Sequence, residues 1–243
     1  MPSTPTYILA IETSSEMASC ALARDGRITF RESSGVRTHS QSILPMVQEL
    51  LGDAGIGIAD CHAIAFGAGP GSFTGVRTAC GIAQGLAFGA DLPVIALVTL
   101  AAMAQACHRE SGATEVLAIL DARMGEVYWA QYRLRDGAWA VVADAALCAP
   151  AAVAPLPAAG LVACGNGLAA YPEAFAGQAW SEGALAHIMP HARELAQLAL
   201  PALAAGATVS AADAQPLYLR NKVAYTSAER QVINAAKAAE ATT

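Results

Sequence analysis

The chain has 243 residues, 55% hydrophobic and only 14% charged, a composition that excludes disorder and leaves ample chain for a buried core. Alanine supplies close to a quarter of it, which raises the mean hydropathy to +0.40 without implying a membrane protein. Fourteen Lys+Arg against 20 Asp+Glu give a net charge of −6 with no basic cluster, which argues against a protein that grips nucleic-acid phosphates unaided.

Residues 92–107 open Leu-Pro and fall short of the roughly 20 residues a spanning helix needs. Residues 145–164 are broken by Pro150, Pro155, Pro157 and Gly160. No basic and then apolar leader opens the chain, so a cytoplasmic protein is expected. Cys20, Cys61, Cys80, Cys107, Cys148 and Cys164 show no CxxC spacing and sit among apolar neighbours, as reduced, buried thiols do.

In chain order, residues 7–12 predict a strand that ends at the polar turn Thr13-Ser14-Ser15-Glu16. Residues 17–24 form a second strand, Asp25-Gly26 signals a hairpin, and residues 27–32 pair back as a third. Residues 40–51 carry Ile43, Leu44, Val47, Leu50 and Leu51 at helical spacing, with Pro45 early in the helix. A short buried strand at 63–66 leads through a glycine-rich loop, 67–71, into a long helix at 72–89 capped by Ser72 or Gly71. Residues 93–98 give a fifth strand and 99–109 a third helix. Three antiparallel strands followed by strand–helix crossovers demand a mixed sheet with helices on its faces. That α/β order is the order of the ribonuclease-H-like half-domain.

The second half repeats the design more weakly. Strands are expected at 116–121, 126–133 and 138–142, with turns at Ala122-Arg123-Met124-Gly125 and Asp136-Gly137. A short strand at 161–164, a helix at 190–205 and an extended stretch at 215–220 follow. Two half-domains are therefore expected, the second eroded: residues 1–108, residues 109–225, and an Ala-rich tail at 226–243.

The most distinctive segment is Gly67-Ala-Gly-Pro-Gly-Ser-Phe-Thr-Gly-Val-Arg77. Its glycines and the helix start beyond them suit an anion nest, with Gly69, Gly71 and Ser72 beside Glu12, Thr13 and Ser14 of the first turn. The same glycines equally suit a tight strand-to-helix turn. Neither a phosphate-loop lysine nor G-x-G-x-x-G is present. Along the helix, Thr74, Thr78, Gly81, Gly85 and Gly89 share one stripe. Each interior glycine costs about 0.5–1 kcal/mol relative to alanine, so the stripe calls for a close neighbour, within the chain or in a partner. His187 and His191 are spaced like a metal pair, but Pro190 between them starts a helix and breaks the register. His39, His62 and His108 are isolated.

Residues 8–15 (Ile-Leu-Ala-Ile-Glu-Thr-Ser-Ser), 68–77, 81–86 (Gly-Ile-Ala-Gln-Gly-Leu), 121–128 (Asp-Ala-Arg-Met-Gly-Glu-Val-Tyr) and 216–220 (Pro-Leu-Tyr-Leu-Arg) together closely resemble the bacterial TsaB (YeaZ) family. The resemblance spans residues 7 to about 225. It implies two ribonuclease-H-like halves of the actin-like ATPase superfamily and no active site of the chain's own. The function implied is a subunit of the complex that places a threonylcarbamoyl group on the adenosine beside the anticodon. Its partners would be the paralogous transferase TsaD and the ATPase TsaE, with tRNA reached only through the complex and a homodimer when alone. No intrinsic cofactor or metal is implied; ATP or ADP would enter at the level of the complex. Where TsaD carries a metal-holding His-x-x-x-His, this chain has Thr99 and Met103, which cannot replace two imidazoles. Glu12 stands where the superfamily usually has Asp. The implied partner surface combines Ile43, Leu44, Val47 and Leu51 with Thr74, Thr78, Gly81, Gly85 and Gly89. The alternative on the same fold is an autonomous small-molecule kinase or metallohydrolase.

Overall fold

A computed structural model describes residues 5–33 and 39–220. Five strands make the first sheet: β1 (Tyr7–Glu12), β2 (Ala18–Arg24), β3 (Arg27–Ser33), β4 (Ala63–Gly69) and β5 (Val94–Val98), in the order β3-β2-β1-β4-β5. β1 pairs antiparallel with β2 and parallel with β4, so it runs down the middle, buried on both faces. That burial explains its unbroken apolar run, whereas edge strand β3 alternates polar and apolar residues.

The second sheet contains β6 (Glu115–Arg123), β7 (Glu126–Arg135), β8 (Ala138–Cys148) and β9 (Leu161–Cys164), in the order β8-β7-β6-β9. It repeats the meander-then-parallel plan with four strands against five. The helices are α1 (His39–Ala54), α2 (Phe73–Ala90), α3 (Thr99–Ser111), the single turns α4 (Gly167–Ala170) and α5 (Pro172–Phe175), and α6 (Ala192–Ala204).

Period-two alternation along β1 divides the core. Leu9 and Ile11 face α1 and α2, packing with Ile43, Leu50, Phe66 and Ala83. Ile8 and Ala10 face α6, packing with Leu195, Ala196 and Ala199. α3 lies between the sheets: Ala102 joins the first core, while Leu100, Met103 and Cys107 join the second with Val116, Leu120 and Tyr128. The two sheets are drawn from successive parts of the chain, up to Val98 and from Glu115, with α3 between them, yet α6 from the later part covers the first sheet.

Several expectations shift. β4 continues through the glycines to Gly69, because its parallel partner β5 keeps bonding there across a bulge. Residues 215–220 lie outside both sheets, held by one backbone bond from Leu217 to Ala68 and by side-chain contacts. Cys148 is only half-buried; the other five cysteines are buried. The tail at 226–243 lies outside the described residues. No helix among the described residues is long and apolar enough to cross a membrane.

α6 begins at Ala192, and Pro190 stands before it. Its N-cap is His191, whose Nδ1 accepts from the Arg193 N–H at 3.0 Å. The ring proton therefore sits on Nε2 and donates to Glu32 at 3.0 Å. Burial lowers the pKa of this imidazole below 6.5, overcoming the opposing pull of Glu194 and Glu32. The unfolded chain then binds the extra proton first, so the neutral cap's contribution is complete above 6.5 and is lost as pH falls. Replacing His191 with Asn, a cap that does not titrate, is expected to give a variant whose urea midpoint falls further below that of the wild type at pH 7 than at pH 5, because other titrating groups contribute alike to both proteins.

A cleft between two turns and an open helix face

Two turns approach each other across the gap between the sheets: residues 13–16 after β1 and residues 123–125 between β6 and β7. Beside them lies a cavity of about 360 Å³ whose wall includes Ser14, Ser72, Asp121, Asn166, Tyr218 and Arg220.

On the first side, the parallel register that matches Ile11 to Phe66 sets Glu12 beside Gly67. Any Cβ on Gly67 would strike the Glu12 carboxylate, so glycine there makes room for it. Glu12 is fully buried. Its Oε1 accepts from the Ser14 N–H at 2.5 Å, and its Oε2 has no hydrogen-bond partner. Burial pushes this carboxyl up to about 7, against the lowering effect of its hydrogen bonds to Ser14 and Thr13. The acid is thus folded under the turn and is absent from the cavity wall.

The turn itself sits on the start of α2. Thr13 Oγ1 donates to the Gly75 carbonyl at 2.7 Å, and the Ser72 N–H donates to the Ser14 carbonyl at 2.8 Å. Ser72 is the cap, its hydroxyl accepting from the Gly75 N–H at 3.4 Å. A Cβ on Gly75 would hit the Thr13 carbonyl, and one on Gly71 would stand 2.7 Å from the Ser14 Cβ. These glycines therefore serve backbone-to-backbone packing. Gly69, at φ +119°, is covered by the Leu217 carbonyl, 2.8 Å from where its Cβ would be. Of the six residues singled out for anion binding, Ser14, Gly71 and Ser72 line the cavity; Glu12, Thr13 and Gly69 do not.

On the second side, Asp121 accepts from the Arg123 N–H at 2.8 Å and from the Tyr171 hydroxyl at 3.0 Å. Its own N–H donates to Asn166 at 2.9 Å. Arg123 reaches Glu16 across the gap at 2.9 Å, and Arg220 pairs with Glu126 at 2.7 Å. Both guanidinium groups on the wall are thus already matched by carboxylates, and the described residues include no lysine. Titration calorimetry with Mg-ATP is accordingly expected to show no binding tighter than about 0.1 mM, or −5.5 kcal/mol. A micromolar constant would contradict this. The wall residues Asp121, Arg123, Tyr218 and Arg220 were not legible as a site, although their strings stood out in the sequence.

Among the described residues, no group of three or more His, Cys, Asp or Glu could hold a metal ion. His187 instead pairs with Glu110 at 3.0 Å on the surface. Thr99 is buried and donates to the Pro70 carbonyl at 2.5 Å, and Met103 is buried in the second core.

The helix stripe separates cleanly. Ile43, Val47 and Leu51 are buried in the first core, which corrects the expectation that they face outward; Leu44 alone of that group is exposed. The broad apolar face of α1 is consumed by its own sheet. On α2, Thr74, Gly81, Gly85 and Gly89 are exposed and Thr78 is half-exposed. A Cβ at Gly81, Gly85 or Gly89 would meet nothing within 4 Å. Phe88, on the same helix, is 84% exposed.

A family model described as TsaD, tRNA N6-adenosine threonylcarbamoyltransferase, matches residues 31–241. The chain is 44% identical to the tRNA threonylcarbamoyladenosine biosynthesis protein TsaB of Escherichia coli over 224 residues, covering 90% of this chain and 96% of that one. It is 40% identical to the protein of the same name from Haemophilus influenzae, covering 90% and 95%. Among solved structures, YeaZ from Pseudomonas aeruginosa matches with a TM-score of 0.81 at 43% identity, covering 88% of this chain and all of that one.

Proposed function

We propose a function from one premise: the chain belongs to the TsaB (YeaZ) family of tRNA threonylcarbamoyladenosine biosynthesis proteins. It takes part in making that modified nucleoside, and our reading of its part is a non-catalytic subunit. In this role it pairs with a TsaD-like transferase and supports the partner's activity. A TsaE-like ATPase joins the pair, and tRNA is reached through the assembly. Alone, two copies of the chain pair through the same face.

The observation that carries this reading is the open side of α2. Three interior glycines cost helix stability, and nothing among the described residues occupies the space they leave. Small residues of this kind let another backbone approach, and Phe88 and Leu44 beside them supply apolar area that the fold leaves uncovered. A partner's helices seated there would complete a four-helix packing. The buried Thr99 and Met103 support the absence of a metal centre, since neither side chain is an imidazole nor reaches solvent.

Co-expression with the TsaD-like protein of the same organism, followed by native mass spectrometry, is expected to give a one-to-one pair. Threonylcarbamoyl transfer to tRNA should require both chains. Transfer by this chain alone, or failure to co-purify, would overturn the reading.

A further inference from the structure

Residues 214–220 belong to neither sheet, yet Ala214 and each residue from Leu217 to Arg220 are fastened to the fold. Ala214 is buried, and its carbonyl accepts from Gln84 Nε2 of α2 at 3.0 Å. The Leu217 N–H donates to the Ala68 carbonyl at the end of β4 at 2.7 Å. The Tyr218 hydroxyl accepts from Arg77 Nε of α2 at 2.8 Å, and its ring lies 5.8 Å from that of Phe73. These contacts all hold the first half. Two residues on, the attachments change sides. Leu219 packs against the second core, and Arg220 donates to the carbonyls of Ala122 at 3.0 Å and Arg123 at 3.3 Å while pairing with Glu126. Seven extended residues reach at most about 25 Å, so the anchors on the two halves lie within that span of each other.

We propose that residues 214–220 are a strap that fixes the two halves against each other, doing with the chain's own atoms what a ligand bridging the two turns would do. Magnitudes single out Arg220 as the anchor on the far side. The other ion pair across the gap, Arg123 with Glu16, is 71% and 80% exposed, and such pairs contribute about 0–1 kcal/mol. The Arg220 side chain is 12% exposed, and one arm of its guanidinium fork, Nη2, lies against two carbonyls and a carboxylate while Nη1 meets Met124 Sδ. Gly69 belongs to the same device: the Leu217 carbonyl fills the place of its absent Cβ, so the strap lies flush on β4. Along their length, Leu217, Tyr218, Leu219 and Arg220 form part of the cavity wall, so the cleft keeps one width set by the strap.

Hydrogen exchange read by mass spectrometry on the full chain tests this. Arg220→Ala is expected to speed exchange about tenfold in residues 121–127 and 214–220, with β1, β4 and β6 unchanged. Arg220→Lys, which keeps the charge but not the fork, should fall between the two. Tyr218→Ala attacks the other anchor and keeps the test open should the first variant not fold; it should loosen 214–220 in the same local way. Unchanged exchange in 121–127 and 214–220 would overturn the proposal. Acceleration that spreads equally through β1 and β6 would overturn it too, because the contacts would then support the fold at large and not the junction.

Discussion

Leucine in place of Gly85 is expected to leave the monomer folded, and slightly more stable, while weakening its pairing roughly tenfold or more. A leucine in the middle of a helix is favoured over glycine by about 0.5–1 kcal/mol. At Gly85 no atom within 4 Å of the new Cβ opposes that gain. The melting temperature of the isolated monomer should therefore hold or rise. A partner helix drawn close by the glycine stripe would meet the added side chain directly. Overpacking a tight contact costs about 1–3 kcal/mol, roughly a tenfold to hundredfold loss of affinity. Gly81→Leu should behave alike, and Phe88→Ser should weaken pairing through lost apolar area alone. Native mass spectrometry and thermal melts of the same samples separate the two effects. A Gly85→Leu protein that melts lower and still pairs at wild-type strength would exclude this face as the interface.

Much of the fold was legible because it rests on local rules. The strand at Tyr7–Glu12, the hairpin at Asp25-Gly26 and a helix cap at Ser72 or Gly71 follow from periodicity and turn chemistry; the structure has the strand and the hairpin and takes Ser72 as the cap. What sequence could not show was which of two equivalent uses a residue would serve. The glycines of residues 67–77 suit an anion nest as well as a tight crossing, and the seating of Thr13 and Ser14 against Gly71 and Gly75 on the helix start is visible only in the structure. Ile43, Val47 and Leu51 form a stripe wide enough for a partner, but the sheet beneath takes all three. His187 and His191 separate because Pro190 falls outside the helix, leaving one histidine at the surface and the other as a cap. The second wall of the cleft depends on contacts 45 to 98 residues apart, such as Asn166 with Asp121 and Arg220 with Ala122. Periodicity has no reach over such distances.

Substituting Gln for Glu12 is expected to stabilise the protein more at pH 8 than at pH 5, by about 2–3 kcal/mol, since a small part of the full cost is already present at pH 5. The carboxyl is fully buried and burial raises it from 4.5 to about 7. A group whose folded pKa lies above its unfolded value favours folding in its protonated form. Below 4.5 both states hold the proton and no penalty exists. As pH rises from 4.5 to about 7 the unfolded chain sheds its proton first, and the cost of burying the charge accumulates until both states are ionised. A shift of about 2.5 units corresponds to about 3 kcal/mol. Glutamine cannot ionise, so the cost vanishes; its amide nitrogen, placed where Oε2 finds no partner, carries a fixed penalty of about 1–3 kcal/mol at every pH. That constant cancels when the difference between wild type and variant at pH 5 is subtracted from the difference at pH 8. His191 titrates in the same window, but in both proteins alike, and cancels as well. Urea unfolding of the two proteins at both pH values supplies all four numbers. The same gap at pH 5 and pH 8 would mean that Glu12 keeps one protonation state throughout, and that the Ser14 N–H stabilises its charge far more than the geometry at 2.5 Å suggests. A gap that widens toward pH 8 would identify Glu12 as an acid retained beneath the turn at a cost to stability, with Gly67 kept small to make room for it.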